Sequence, residues 1–413
     1  MLQWKRYLRW TGVLTALGAI VVLAQPAKQG APVVDLQVSI EKSKPAAAGQ
    51  NQFGTKLLEL EAAAHPKANV FVSPLSLYLA LAMTEGGAAG KTRTAMRHAL
   101  GAAAATNDEA FHESASALLQ SLRAQKGVEL SIANAIWSDP GMPLNADFVR
   151  KCQSMYDAEA KSLEFSNPDA VKIVNGWVSD KTKGKIPEIV TPEILASAKA
   201  LLTNAVYFMG KWRSEFAESD TADADFKLAD GKTQKVRMMH HPKIRSAYRQ
   251  GPGYEAAVLG YQGSSIAMYA ILPAEGVTPE QALSKAAPAA LIAGVEPFDL
   301  DLRLPRFTID YSTRLKDTLT KMGMGIAFQY PGAEFAPLGS PLFYIGEVLH
   351  KTRLEVDEKG TVAAAATAVV VMAGSAAPRK QETKVLVFDR PFAVSICDST
   401  TGAVLFEGIV YKP

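Results

Sequence analysis

Residues 360–377, GTVAAAATAVVVMAGSAA, carry no charge, no proline and no aromatic ring. Asp357, Glu358 and Lys359 precede the run, and Pro378, Arg379 and Lys380 follow it. Alanine favours helix, whereas valine and threonine favour strand. Strand alternation puts Thr361, Ala363, Ala365, Thr367, Val369 and Val371 on one face. None of these is larger than valine, so that face can slide between two existing strands without overpacking. The other face is also uncharged, so the segment can be buried on both sides. A core strand is the plain interpretation of such a run. Its surroundings have to decide.

The chain has 413 residues, 48% of them hydrophobic, enough for a large core in one big domain or two ordinary ones. Lys5, Arg6 and Arg9 precede an apolar stretch at residues 11–24, with small Val22 and Ala24 at signal-peptidase spacing. Residues 1–24 are therefore expected to be a secretory signal peptide. Roughly 14 apolar residues fall short of a membrane span. Removing them takes away three positive charges and no acidic ones, so the formal charge of +3 falls to zero. A neutral chain without a basic run is a poor nucleic-acid or heparin binder, and no membrane association is expected after cleavage. Cys152 and Cys397 are the only cysteines, which excludes a disulfide scaffold. Whether they pair is not legible; two free, buried thiols are expected.

Residues 25–50 are rich in Ala, Pro, Lys and Gln, lack periodicity, and are expected to be a flexible leader. The folded part is expected from about residue 51, where Phe53, Leu57, Leu58 and Leu60 share a helical stripe. Val70, Phe71 and Val72 form a short strand. Ser73 then caps a helix that starts at Pro74 and is apolar nearly all round to Thr84, so it should be central. Helices follow at 91–100, 107–124 and 145–156, with another after Asn167-Pro168. Residues 129–137 and 198–208 read as strands, and 162–165 as extended. Strand signals dominate 225–272, a helix is expected at 278–292, a strand at 299–309 and a helix at 313–322. Two final strands, 385–396 and 402–411, flank a turn at 398–401. Helices crowd the first half and strands the second, which argues α+β with antiparallel or mixed sheets rather than a doubly wound sheet.

Motifs for chemistry are weak. GGAAGKT at 86–92 lacks the first glycine of a phosphate loop, since Glu85 stands there, and it follows a helix. The acidic stretch 220–231 lacks calcium-loop spacing. His240 and His241 are adjacent, and neighbours in a strand point to opposite faces. There is no HExxH pair, CxxC or GxSxG, so no catalytic residue, metal site or cofactor is assigned.

Five ordered segments together resemble a serpin. NVFVSPLSLYLALAM, from Asn69, is similar to the family's Asn-x-x-x-Ser-Pro-x-Ser helix. LLTNAVYFMGKWRSEF, from Leu201, resembles its central strand. LRLPRFTIDYSTRLKDTLTKMGM, LHKTRLEVDEKGTVAAAAT and FDRPFAVSICDSTTGAVLFEGIVYKP resemble its Leu-Pro-x-Phe segment, its hinge and its C-terminal strand pair. The resemblance covers about residues 51–413. It implies one domain of three sheets and about nine helices, with an exposed reactive-centre loop at about 358–384.

The resemblance also implies a function. A serine protease cuts the loop, forms an acyl-enzyme, and is trapped as the freed segment inserts into the main sheet as a new strand, the general serpin device. The covalently bound protease is then the expected partner. Glu358, Gly360, Thr361, Ala363, Ala365 and Thr367 match the hinge. Arg306 matches the basic partner of Glu358, and Trp212 the tryptophan over the point of entry. Ser73, Ser76, Asn204 and His350 match the polar cluster under the opening strands. Family spacing, about sixteen residues after Glu358, puts the scissile bond at Gly374-Ser375, with Met372 and Ala373 as near alternatives. Small apolar residues there suit elastase-like or subtilisin-like enzymes. The segment 375–392 is a few residues longer than usual, and Val362 stands where many members carry Glu. Both loop faces are then apolar, so loop–sheet polymers are expected beside the monomer. The alternative is a non-inhibitory serpin acting as a binding or chaperone-like protein.

Overall fold

Ser73 does cap the central helix: its Oγ accepts from the Ser76 N–H at 3.2 Å, and Pro74 opens the first turn. All twelve residues of this helix are buried. The computed structural model describes residues 36–102, 107–286, 291–292, 297–340, 342–361 and 383–413.

In chain order the helices are α1 (Leu36–Ala64), α2 (Pro74–Glu85), α3 (Gly90–Ala99), α4 (Asp108–Arg123), α5 (Ala146–Tyr156), α6 (Ala170–Lys181), α7 (Pro192–Ser197), α8 (Pro279–Lys285) and α9 (Lys316–Leu319). The strands are β1 (Val70–Val72), β2 (Val128–Ser138), β3 (Glu159–Ser162), β4 (Ala200–Lys211), β5 (Ala222–Lys227), β6 (Thr233–Gly251), β7 (Tyr254–Gly260) and β8 (Ile266–Pro273). They continue with β9 (Pro297–Pro305), β10 (Phe307–Arg314), β11 (Glu347–Asp357), β12 (Gly360–Thr361), β13 (Lys384–Val387), β14 (Phe392–Asp398) and β15 (Val404–Val410).

One sheet has six strands in the order β10-β11-β12-β4-β2-β3. The other has nine, β1-β15-β14-β8-β7-β6-β9-β13 with β5 on β6. The 19-residue β6 explains the count: its register against β9 shifts between His241 and Ile244, so one strand joins two of the three expected sheets. The main core lies between the sheets and around α2; a second core, with Trp137, Val174, Val178 and Leu195, lies under α6 and α7 on the other face of the six-stranded sheet.

Four expectations need correction. The helix α1 begins at Leu36, so residues 36–50 are not a leader. Its buried residues there are Ser39, Ile40, Ser43, Ala46, Ala47, Gly49 and Gln50, so Ile40 is the one large apolar side chain and the rest are too small or polar to register as a hydrophobic pattern. The freed N–H beyond Pro45 is satisfied from α4, where Ser114 Oγ accepts from Ala46 at 2.9 Å. Second, the expected strand 299–309 is two strands broken at Arg306, where the chain passes from one sheet to the other. The buried positions shift phase there, from Leu302 and Leu304 to Phe307 and Ile309. Third, β10 runs on to Arg314, which leaves only α9 and a distorted turn of the helix expected at 313–322. Fourth, the expected strand 385–396 stops at Val387 and restarts at Phe392, after Pro391.

Both cysteines are free and buried. Residues 86–92 are the turn between α2 and α3 together with the first three residues of α3, tied down by Glu334, whose carbonyl accepts from Ala89 at 2.8 Å and whose N–H donates to Thr92 Oγ1 at 2.9 Å. His240 sits 2.9 Å from Asp301, while His241 packs against the ring of Phe216. Among the described residues no group of His, Cys, Asp or Glu could hold a metal ion.

Candidate functional site: the seam between β4 and β11

Strands β4 and β11 run parallel and pair directly from Leu201–Glu347 to Tyr207–Arg353. Past that point they part, and β12 lies between them, antiparallel to both. Thr361 faces Val356 on one side and Gly210 on the other; Gly360 faces Asp357 and Lys211. The turn that folds the chain back is held by Asp357 Oδ1, which accepts from the N–H groups of Lys359 at 2.9 Å and Gly360 at 3.1 Å. A Cβ on Gly360 would lie 2.2 Å from the Gly210 carbonyl oxygen, so only glycine fits this entry.

Around this open end the expected residues converge. Glu358 is 3% exposed, and its Oε1 lies 2.6 Å from Arg306 Nε and accepts from Thr221 Oγ1 at 2.5 Å. Burial alone would raise this carboxyl, but hydrogen bonds from Arg306 and Thr221 outweigh it and hold the group below the usual carboxylate range. The Trp212 backbone N–H donates to Lys359 O, and its Nε1–H to Asp357 O, each at 2.9 Å. The indole stacks on Tyr261 at 4.8 Å, and the Tyr261 hydroxyl lies 2.7 Å from Thr361 Oγ1.

Farther down, the seam is locked by a buried polar cluster. The Ser73 N–H donates to His350 Nε2 at 3.1 Å, which leaves the imidazole proton on Nδ1, donated to Asn204 Oδ1 at 2.5 Å. Asn204 Nδ2 donates to Ser76 Oγ at 2.6 Å and to Asn134 Oδ1. Ser73 Oγ in turn donates to Leu405 O at 2.7 Å. His350 and Asn204 are direct partners in the parallel ladder, and Asn134 faces Asn204 across β2. Burial pulls the His350 pKa down to about 3, so the ring is neutral.

The structure thus brings Glu358, Gly360, Thr361, Trp212 and Arg306 together at one end of the seam, and Ser73, Ser76, Asn204 and His350 in its middle. Ala363, Ala365, Thr367, Met372, Ala373, Gly374 and Ser375 lie outside the described residues. Sequence reasoning missed Thr221, Asn134 and Tyr261. Asn134 had a signal, a polar residue in the middle of an apolar strand; the other two had none, because their partners are remote in sequence.

The model of the family Serpin (serine protease inhibitor) matches residues 48–413. The chain is a serpin. It is 35% identical to an uncharacterized serpin-like protein of Thermococcus kodakarensis, over 84% of this chain and 81% of that one. It is 31% identical to leukocyte elastase inhibitor A of Rattus norvegicus, over 87% of this chain and 97% of the relative. Among solved structures, human thyroxine-binding globulin complexed with thyroxine superposes with a TM-score of 0.79 at 26% identity, covering 91% of this serpin and 99% of the globulin.

Proposed function

We propose that this serpin is a single-use inhibitor of serine proteases, elastase-like or subtilisin-like, acting outside the cytoplasm after loss of its signal peptide. The observation that carries this is β12. The hinge residues Gly360 and Thr361 already form a strand between β4 and β11, at the end of the seam where those strands have parted.

The protease serine oxygen attacks the carbonyl carbon of Gly374. The bond to Ser375 breaks, the Ser375 nitrogen leaves with a proton from the protease's own base, and an ester joins Gly374 to the protease. Water would normally cleave that ester. Here the freed segment continues the strand that β12 has begun. In the same register Ala363 falls between Phe208 and Leu354, and Ala365 between Val206 and Thr352. Thr367 then falls between Asn204 and His350, where its hydroxyl can accept from His350 Nδ1–H and donate to Asn204 Oδ1. A side chain with a hydroxyl thus replaces the hydrogen bond that opening breaks. On the order of ten new ladder bonds at ~1 kcal/mol each drive the motion, which drags the tethered protease along and distorts its catalytic site before water can cleave the ester.

The test is to mix the protein with elastase-like, subtilisin-like and trypsin-like proteases. A denaturant-stable complex and a released peptide starting at Ser375 are expected. A peptide starting at Lys380 would move the bond to Arg379 and point to a trypsin-like target. Clean cleavage without a complex across the panel would overturn the proposal.

A non-inhibitory serpin that carries a small molecule is the alternative, and one observation favours it. A cavity of about 690 Å³ between α1, α8 and β15 is lined by Leu58, Ala62, Leu283, Ile409 and Tyr411, and buried Glu407 lines it too, with no partner among the described residues. Burial raises the Glu407 pKa to about 7. Only the inhibitory function requires the covalent complex, so the same experiment separates the two.

A further inference from the structure

The strand β12 has only two residues, and so short a ladder fixes register weakly by itself. Something else has to hold Thr361, rather than a neighbour, opposite Gly210. Tyr261 stands in the right place. It comes from the end of β7 in the other sheet, and both it and Thr361 are fully buried. A Cβ on Gly210 would lie 2.6 Å from the Tyr261 ring, so the ring covers the position that Thr361 faces. The ring is fixed from behind by Trp212, which also binds the backbone of Asp357 and Lys359. The Tyr261 hydroxyl has Thr361 Oγ1 as its partner at 2.7 Å.

Slipping the hinge by one residue would put Gly360 or Val362 opposite Gly210 and turn every side chain to the other face. Slipping by two would put Ala363 there. None of these carries a hydroxyl, so each leaves the Tyr261 hydroxyl without this partner in a buried site, which is disfavoured. We infer that Tyr261 is a positioning residue: it holds the hinge inserted before cleavage and sets the register in which the rest of the loop enters. This deepens the inhibitory function proposed above and rests on it for its consequence, though not for the contact itself.

The test uses Tyr261→Phe, which keeps the ring and its stack, and the isosteric Thr361→Val. Backbone hydrogen exchange in the peptide covering 360–361 should rise about tenfold in either variant, as expected for loss of one buried hydrogen bond. The double variant should exchange no faster than the singles, and Thr361→Ser should restore protection relative to Thr361→Val. With an inhibited protease, the moles of serpin consumed per mole of enzyme should rise in the same order. A second readout is a disulfide in the cleaved protein between Ala365→Cys and Val206→Cys, the pair that this register sets side by side. Unchanged exchange in Tyr261→Phe, additive effects in the double variant, or no such disulfide in a cleaved protein that has inserted its loop would overturn the inference. Absence of any protease complex from the wild type would instead overturn the proposed function, and the exchange data would still decide the role of Tyr261.

Discussion

Between Leu201 and Tyr207, β4 pairs directly with β11; at Gly210 and Lys211 it pairs with β12 instead. The same two strands are thus closed in the middle of the sheet and open at one end. At the open end the contacts are between the hinge and its surroundings: Glu358 with Arg306 and Thr221, Thr361 with Tyr261, Trp212 with the turn. In the closed part they run across the seam itself, His350 to Asn204, and on to Ser76 and Asn134. On the proposed function, opening is a zip that starts from a prepared end and has to replace a specific lock on the way. The uncharged, small-residue composition of 360–377 is what such a path demands.

Substitutions at the two ends should separate these roles. The largest effect is expected for Thr361→Arg. The position is fully buried, and an unpaired charge there stops the strand at its first side chain. Inhibition should be lost while cleavage continues, as read from complex formation against product; undiminished inhibition would break the distinction between an entry end and a lock.

Next is Asn204→Ala, which leaves His350 Nδ1–H, Ser76 Oγ and Asn134 Oδ1 without their partner in the buried cluster. A loss of about 3 kcal/mol in urea unfolding is expected, together with faster loop–sheet polymerisation by size exclusion. A stable variant with normal polymerisation would show that the middle is not locked by this cluster.

Acid should act on the lock in the same direction. His350 has a folded pKa of about 3, below the ~6.5 of an exposed histidine. The unfolded chain therefore binds more protons between these values. The stability that neutral His350 contributes is present above pH ~6.5 and is lost as pH falls, at about 1.4 kcal/mol per unit, until pH reaches about 3. His350→Gln should flatten that part of the stability profile relative to the wild type; an unaltered slope would place the acid sensitivity elsewhere.

The smallest effect belongs to Arg306→Met. Arg306 is 41% exposed, so water screens its pairing with Glu358. About 1 kcal/mol should be lost, with the Glu358 pKa rising because only Thr221 and the Glu358 backbone N–H remain as donors. The contribution is present above the usual carboxylate range and vanishes as pH falls through the folded pKa, so the variant and the wild type should converge in acid.

Much of the seam was legible because its residues sit in segments of distinctive pattern. Ser73 and Ser76 belong to a capped, wholly apolar helix, and Asn204 to a long apolar strand. The strand β11 was not recognised as a strand, although it is half of the seam. Its inward residues His350, Thr352, Leu354 and Val356 alternate with Lys351, Arg353 and Glu355, and the two polar inward positions blur the alternation. The change of sheet at Arg306 was missed because the apolar pattern continues through it with only a one-residue change of phase. The start of α1 was missed because Ile40 is the one large apolar residue among its buried positions before Phe53, the others being Ser, Ala, Gly and Gln. Tyr261 could not be found by local pattern at all, since its meaning comes from Thr361, a hundred residues later in the chain and in the other sheet.

The central claim is that the segment after Thr361 enters the seam once it is cut. Thermal unfolding of the intact protein against protein nicked in the loop by a non-target protease tests this most directly. About ten new ladder bonds at ~1 kcal/mol each should raise the midpoint by about 20 °C or more. A nicked protein that melts at or below the temperature of the intact one would contradict insertion at this seam.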